Sequence, residues 1–309
     1  MKYGTYTGYG TDFYETTEGV AEIVNLAIAL GRPILVEGEA GCGKTRLAYS
    51  ISTELGLGHP TVLRIKSTTQ AKDLLYRFDA LRRLQEVQNP ALAHRASFVY
   101  PYISLQPLGR AIQEGRPRVV LIDEVDKADI DFPNDLLDVL DEFVFDIEDL
   151  PQEESERCEH EHGFSRTVRS VGGQRPIVVI TSNREKQLPE PFLRRCLYLE
   201  LVFPKDEPLL AKIVRKNMGA DLERVSEELL KAAVRKFLEV RNKAIAIGAD
   251  QKTPATSELI DWIKALYWRG QGPEQIEKGK LRPPYWQMLF KTMADLHAYE
   301  AQTAEAQTA

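Results

Sequence analysis

Residues 33–45 read PILVEGEAGCGKT. A short apolar run, Pro33–Val36, gives way to Gly38-Glu39-Ala40-Gly41-Cys42-Gly43-Lys44-Thr45, after which Leu47, Ile51 and Leu55 return at helical spacing. This pattern predicts a buried strand, a glycine-rich turn and a helix over Lys44–Leu55 that stops at Gly56–Gly58. The turn fits G-x-x-x-x-G-K-[ST] in the strand-then-helix setting the pattern requires. Its four fixed positions would match by chance in roughly one chain per hundred of this length, and the flanking elements make chance rarer still. Glycines let the backbone curl until several N–H groups face one anion, and the positive end of the following helix points the same way. Lys44 adds a point charge for the β- and γ-phosphates, and Thr45 offers its hydroxyl to Mg2+. Residues 38–45 are therefore the candidate ATP-binding loop. Cys42 is a small residue that such a loop tolerates. The helix terminus and Lys44 also favour its thiolate, which makes it a candidate reactive thiol.

Four further apolar runs share this character, Thr61–Ile65, Val119–Asp123, Ile177–Ile180 and Leu197–Phe203. Strands buried on both faces read this way, and helical patterns between them imply a parallel sheet in an α/β layer fold. Ahead of the loop, Val20, Ile23, Val24, Ala27 and Ile28 predict a helix over Glu18–Leu30. Two segments interrupt the rhythm, at 76–102 and 141–173. The second contains FDIEDLPQEESERCEHEH, read either as a solvated hairpin or loop or as a partner-facing insert. Strand signals cease after residue 203. Glu207–Met218, Ser226–Arg241, Ser257–Trp268 and Pro284–His297 then predict a helical domain over 204–298, with Trp262, Trp268 and Trp286 in its core. The repeated EAQTAEAQTA that ends the chain predicts a disordered tail, 299–309.

Two acids at the tip of an apolar strand carry the chemistry. In Val119-Val-Leu-Ile-Asp123-Glu124, Asp123 is placed to hold Mg2+ through water, and Glu124 to orient and polarise an attacking water. The next buried strand ends in Thr181-Ser182-Asn183, where Asn183 could position that water or touch the γ-phosphate. Arg194 and Arg195 precede the last strand and are placed to reach a neighbour's nucleotide. Cys158, His160 and His162 offer zinc-type ligands at alternate positions, but without the paired spacing of structural zinc sites. Tyr3, Tyr6, Tyr9 and Tyr14 open the chain among glycines as a group from which an adenine wall could come.

The 309 residues carry a net charge of −6 and three widely spaced cysteines. No global basic field invites nucleic acid or an anionic membrane, and no disulfide framework is written here. Without an apolar leader or a stretch of about 18 apolar residues, a cytoplasmic chain is expected.

Together these residues resemble the AAA+ ATPases, and more narrowly the MoxR-like branch. The signatures are GEAGCGKT, VVLIDEVDKADIDFPNDLLDVLDE, VVITSNREKQLPEPFLRRC and TPATSELIDW, within a resemblance covering roughly residues 5 to 270. It implies a five-stranded αβα core over 1–203 followed by a helical lid, and a homo-oligomeric ring, usually hexameric, with nucleotide between protomers. By motif, Asn183 takes the sensor 1 role and Arg195 the arginine finger, with Arg194 the second candidate. The segments 76–102 and 141–173 fall where relatives carry a helix-2 insert and a pre-sensor 1 hairpin. Relatives act as chaperone-like remodelers beside a von Willebrand factor A partner, and some serve bacterial defence. One position departs: Ala255-Thr256-Ser257-Glu258 holds no sensor 2 arginine, so either Lys252 substitutes or the contact is absent. Two other classes compete. A nucleic-acid-linked motor is disfavoured by the acidic charge, and a non-hydrolysing switch by the joint presence of Glu124, Asn183 and Arg195.

Overall fold

A computed structural model gives the fold of residues 4–308, except 12–13, 15, 163–164, 171–173, 219–224 and 248–252. Among these described residues, nine strands run in chain order: β1 (Ile34–Glu37), β2 (Thr61–Arg64), β3 (Tyr76–Phe78), β4 (Ile103–Leu105), β5 (Val119–Asp123), β6 (Val144–Asp146), β7 (Thr167–Arg169), β8 (Ile177–Ser182) and β9 (Leu197–Glu200). The chain divides into two compact units. The first comprises Met1–Gly10, Thr17–Glu37 and Lys44–Glu200, and the second Thr11–Thr16, Gly38–Gly43 and Leu201–Ala309.

In the first unit, five strands form a parallel sheet in the order β2-β5-β8-β1-β9. The apolar runs predicted this sheet, and burial explains them: Ile34, Leu35 and Val36 of β1, Val119 to Ile122 of β5 and Val179 and Ile180 of β8 are fully enclosed. Helices Glu18–Leu30 and Lys44–Glu54 lie where periodicity put them. The first ends at Gly31 in the left-handed conformation that closes helices, its N–H bonded to the carbonyls of Ala27 and Ile28. Thr45, Asp123, Glu124 and Asn183 lie at the carboxyl ends of the strands, the edge at which open α/β sheets bind ligands, whereas Arg194 and Arg195 precede β9 at its amino end.

Both interruptions are ordered around small antiparallel pairs. β3 pairs with β4 beside the helix Ala80–Val87, which buries no side chain and exposes Leu81, Leu84 and Val87 on one face. β6 pairs with β7, with Phe145 opposite Val168. The acidic stretch between them is largely a helix, Gln152–His162, rather than a loop. Buried Ile147, Leu150, Ser155 and Cys158 hold it down. One of its acids has a structural role, since the Glu154 carboxylate accepts from the N–H groups of Val99 (2.7 and 2.9 Å) and Tyr100 (2.8 Å), tying the two insertions together. The zinc-type reading of Cys158, His160 and His162 required an extended chain, whereas residues two apart on a helix do not share a face. The side chains of His160 and His162 lie outside the described residues, which contain no metal-holding group of three.

The second unit packs helices Glu207–Asn217, Glu227–Ala246, Thr256–Trp268, Pro273–Lys278 and Met293–Thr308. Asp206 and Ser226 cap the first two, accepting from the N–H groups of Leu209 (2.8 Å) and Leu229 (3.2 Å). Trp262 is fully buried and its indole N–H donates to the Pro284 carbonyl (2.7 Å). Trp286 joins Phe290 and Tyr299 in an aromatic cluster with ring centroids 4.9–5.7 Å apart. Trp268 departs from the expected core: it ends its helix 73% exposed. The predicted helix Pro284–His297 is instead a 3-10 turn, Trp286–Leu289, and a separate helix that Thr292 starts by accepting from the Asp295 N–H at 3.1 Å. That helix continues to Thr308, through the repeat read as a disordered tail. Its Ala, Glu and Gln are strong helix formers. Buried Tyr299 and Thr303 anchor it, the latter through Arg282 (2.9 Å). Among the described residues no helix is long and apolar enough to cross a membrane.

Glu154→Ala should lower stability by about 1.5–3 kcal/mol, the range for hydrogen bonds to a charged group. A chemical-denaturation midpoint would register it. An unchanged midpoint would show that the carboxylate does not fasten the insertions.

Candidate active site

The loop Gly38–Gly43 belongs to the second unit, and its surroundings there are close-fitting. Gly41 and Gly43 adopt φ of +79° and +99°, which side-chain-bearing residues rarely tolerate. A methyl group on Gly41 would stand 2.7 Å from the Ala255 Cβ, and one on Gly43 3.4 Å from the Tyr14 ring. Tyr14 is thus the opening tyrosine that lies against the loop. Tyr6 is instead buried in the first unit, 3.1 Å from the Ser50 hydroxyl; Tyr9 is exposed, and Tyr3 lies outside the described residues. Glu39 is bonded by Arg241 of the helix Glu227–Ala246, which also donates to the Pro254 carbonyl. Lys252 is outside the described residues.

In the first unit, Lys44 opens its helix as a buried residue. The next residue, Thr45, donates through its hydroxyl to Asp123 Oδ1 (3.0 Å). The same oxygen accepts from the Thr181 hydroxyl (2.7 Å), whose oxygen in turn accepts the Glu124 N–H (2.9 Å). One carboxylate oxygen therefore fixes the start of a helix and the ends of β5 and β8. Glu124 follows in the left-handed region, φ 61°, ψ 53°, a conformation costing a non-glycine residue about 1–3 kcal/mol. Its carboxylate is met by Asn183 Nδ2 (3.3 Å) and Lys127 Nζ (2.6 Å). The bond to Glu124 holds the Lys127 ammonium above its ordinary pKa. Asn183 is positioned from behind: its N–H and that of Glu185 donate to Asp126 Oδ2 (3.0 and 2.9 Å). Asp126 is buried, and its other oxygen has no hydrogen-bond partner among the described residues.

Beside this cluster, Arg184 spans three strand ends. It donates to Glu37 of β1 (2.8 Å) and, in β9, to Tyr198 and to Glu200 (2.8 Å). Those bonds, Glu37 foremost, raise its pKa above the usual guanidinium value. Arg194 and Arg195 end the helix Glu190–Arg195 apart from the Glu124 cluster. Arg195 pairs with Asp141 and donates to the Pro191 carbonyl (3.3 Å); Arg194 pairs with Glu190. Arg32 donates to the carbonyls of both arginines.

The structure thus brings together Thr45, Asp123, Glu124 and Asn183. Sequence reading missed Thr181, Asp126, Lys127, Arg184 and Arg241. The first four lie within two or three residues of recognised positions, where a polar residue at a strand end was the available signal. Arg241 gave none, being 202 positions from its loop partner.

Comparison with known proteins places this geometry. Residues 33–196, more than half of the chain, match the family described as AAA domain (dynein-related subfamily). Among solved structures, the RuvB Holliday junction branch migration motor of Thermotoga maritima is similar at 15% identity and a TM-score of 0.43, covering 93% of this chain and 69% of that one. A point mutant of Thermotoga maritima RuvB is similar at 14% identity and a TM-score of 0.42, covering 83% and 71%. The comparison with curated proteins finds no match. With the family match running from the start of β1 to the end of the arginine-bearing helix, the chain belongs to the AAA domain family, dynein-related subfamily, and is an ATPase.

Proposed function

We propose that the chain is a Mg-ATP-dependent AAA+ ATPase of MoxR-like type, which works as a ring and couples hydrolysis to the remodelling or maturation of a protein partner. The observation that carries the chemistry is the convergence of Thr45 and Thr181 on Asp123 Oδ1 beside Glu124. Hydroxyl and carboxylate oxygens 3.0 Å apart are the hard donors that Mg2+ prefers, so Thr45 and Asp123 would hold it. Bound there, the ion would neutralise charge on the phosphoryl oxygens. In this reading the backbone of Gly38, Glu39, Ala40, Gly41, Cys42 and Gly43 cradles the triphosphate, and Lys44 adds its charge. Glu124 orients and polarises the water, and Asn183, bonded to the same carboxylate, sets its position. The partner reading is supported by the MoxR-like signatures, which also suggest a hexamer, a von Willebrand factor A companion and a cytoplasmic setting.

Arg195 is the proposed finger. In the single chain it is paired with Asp141, so action on a neighbour's nucleotide requires that pair to open.

Glu124→Gln should keep ATP affinity and nearly abolish turnover, whereas Lys44→Ala should lose about 1.5–3 kcal/mol of binding with its charge-assisted contacts. Titration of ATP binding beside phosphate-release rates separates the two. Wild-type turnover by Glu124→Gln would remove that residue from the mechanism.

Of the three cysteines only Cys42 is partly exposed, and burial pushes the Cys196 thiol up to about 12. A bulky thiol reagent should therefore label Cys42 first and block ATP binding, and ATP should protect it. Equal inactivation of Cys42→Ala would shift the effect elsewhere.

Arg195→Ala should lower turnover by about 10³–10⁵-fold with little change in ATP affinity, the scale of arginine fingers. Co-expressed with Lys44→Ala, it should recover part of the activity, because some interfaces join an intact loop to an intact finger. Recovery with Arg194→Ala in its place, and not with Arg195→Ala, would assign the finger to Arg194. A wild-type protein that stayed monomeric with ATP would end the ring reading.

A further inference from the structure

We propose that Arg241 is a positioning residue for the nucleotide loop, holding Glu39 and Pro254 together so that residues 38–43 keep the shape that receives phosphate. The inference rests on the reading of residues 38–45 as the nucleotide loop and adds a residue that no motif contains.

Arg241 lies on the helix Glu227–Ala246 with only 4% of its surface exposed. A buried guanidinium is costly unless its donors and its charge are met. Here one nitrogen donates to the Pro254 carbonyl, another to the Glu39 carboxylate, and the flat face lies 3.9 Å from the centre of the Phe203 ring. Each contact uses a different part of a rigid planar group, so the three partners are held in a fixed relation. The Thr253 hydroxyl, 3.4 Å from the Glu39 carboxylate, adds a weaker tie from the same wall.

The gripped points matter to the loop. Glu39 follows Gly38, and its own carbonyl accepts the Cys42 N–H (3.4 Å) in the turn that shapes the loop. Pro254 precedes Ala255, the residue against which Gly41 fits. Arg241 therefore restrains both the loop and the surface the loop packs on. A segment with glycines at 38, 41 and 43 has high conformational entropy of its own. A restraint from outside reduces what nucleotide binding must order.

The test uses the full chain, with ATP binding, steady-state kinetics and thermal melting measured side by side. Arg241→Met should raise the ATP Kd about tenfold or more, the equivalent of one charge-assisted hydrogen bond. At saturating ATP, kcat should be largely kept, because Asp123 and Glu124 are untouched. Glu39→Ala should show a similar loss of affinity, and the double variant should be no worse than either single one, since both break one interaction. A purely structural arginine would lower the melting temperature without this KM-weighted, non-additive pattern. Wild-type ATP affinity in folded Arg241→Met, or losses that add in the double variant, would overturn the proposal. If Arg241→Met does not fold, Glu39→Ala decides, because Glu39 is half exposed: wild-type affinity there is equally fatal. Lys44→Ala separates the two levels. Retained ATP binding in that variant would sink the loop assignment itself, whereas its loss beside normal binding by Arg241→Met would sink only the role of Arg241.

Discussion

One oxygen atom organises the carboxyl end of the sheet in the first unit. Asp123 Oδ1 accepts two hydroxyls, from Thr45 and Thr181, and so closes the gap between a helix start and two strand ends. This works only because Val119 to Ile122 are wholly enclosed, which denies the strand any freedom to slide. A rigid apolar rod thus delivers a charged tip at a fixed height. The residues around it depend on that height: the Glu124 N–H reaches Thr181 because Thr181 is already bonded to Asp123. Preorganisation here is a property of strand packing as much as of the polar groups.

The second unit solves a different problem. A glycine-rich turn has too many conformations to be reliable, and steric walls restrict it at Gly41 and Gly43. Helical packing supplies those walls indirectly, through Trp262, Phe237 and Leu259 in the core and Ala255 and Tyr14 at the surface of the loop. Polar residues complete the arrangement where apolar ones cannot: Lys216 donates to the carbonyls of Thr11 (2.8 Å) and Tyr14 (3.0 Å), fastening the segment that carries the tyrosine.

Much of this was legible in the sequence, for identifiable reasons. Strands enclosed on both faces leave uninterrupted apolar runs, and a tight turn between strand and helix leaves glycines at fixed spacing, so β1, β5, β8 and the turn over 38–43 announced themselves. Local charge was misleading: the stretch from Gln152 is dense in acids, yet Ser155 and Cys158 lie buried on its inner face and Glu154 finds backbone donors in another segment. Hydrophobicity misled in the opposite direction at Trp268, which falls on the helix face opposite the buried Leu259, Trp262, Ile263 and Leu266. The repeat after Tyr299 has the composition of a tail, but its Ala, Glu and Gln also favour a helix, and Arg282 anchors that helix at Thr303. Contacts between distant side chains, such as Arg241 with Glu39, leave no local pattern at all.

Glu124 has a consequence for anyone redesigning this chain. Its left-handed backbone is one that glycine would occupy without strain, so a procedure that rewards stability alone would select glycine there. The chosen replacement would relax the turn and delete the carboxylate beside Asn183 in one step. Under the role proposed for Glu124, thermal robustness and turnover pull in opposite directions at this position, and the easiest stabilising substitution to find is also one that would silence the enzyme.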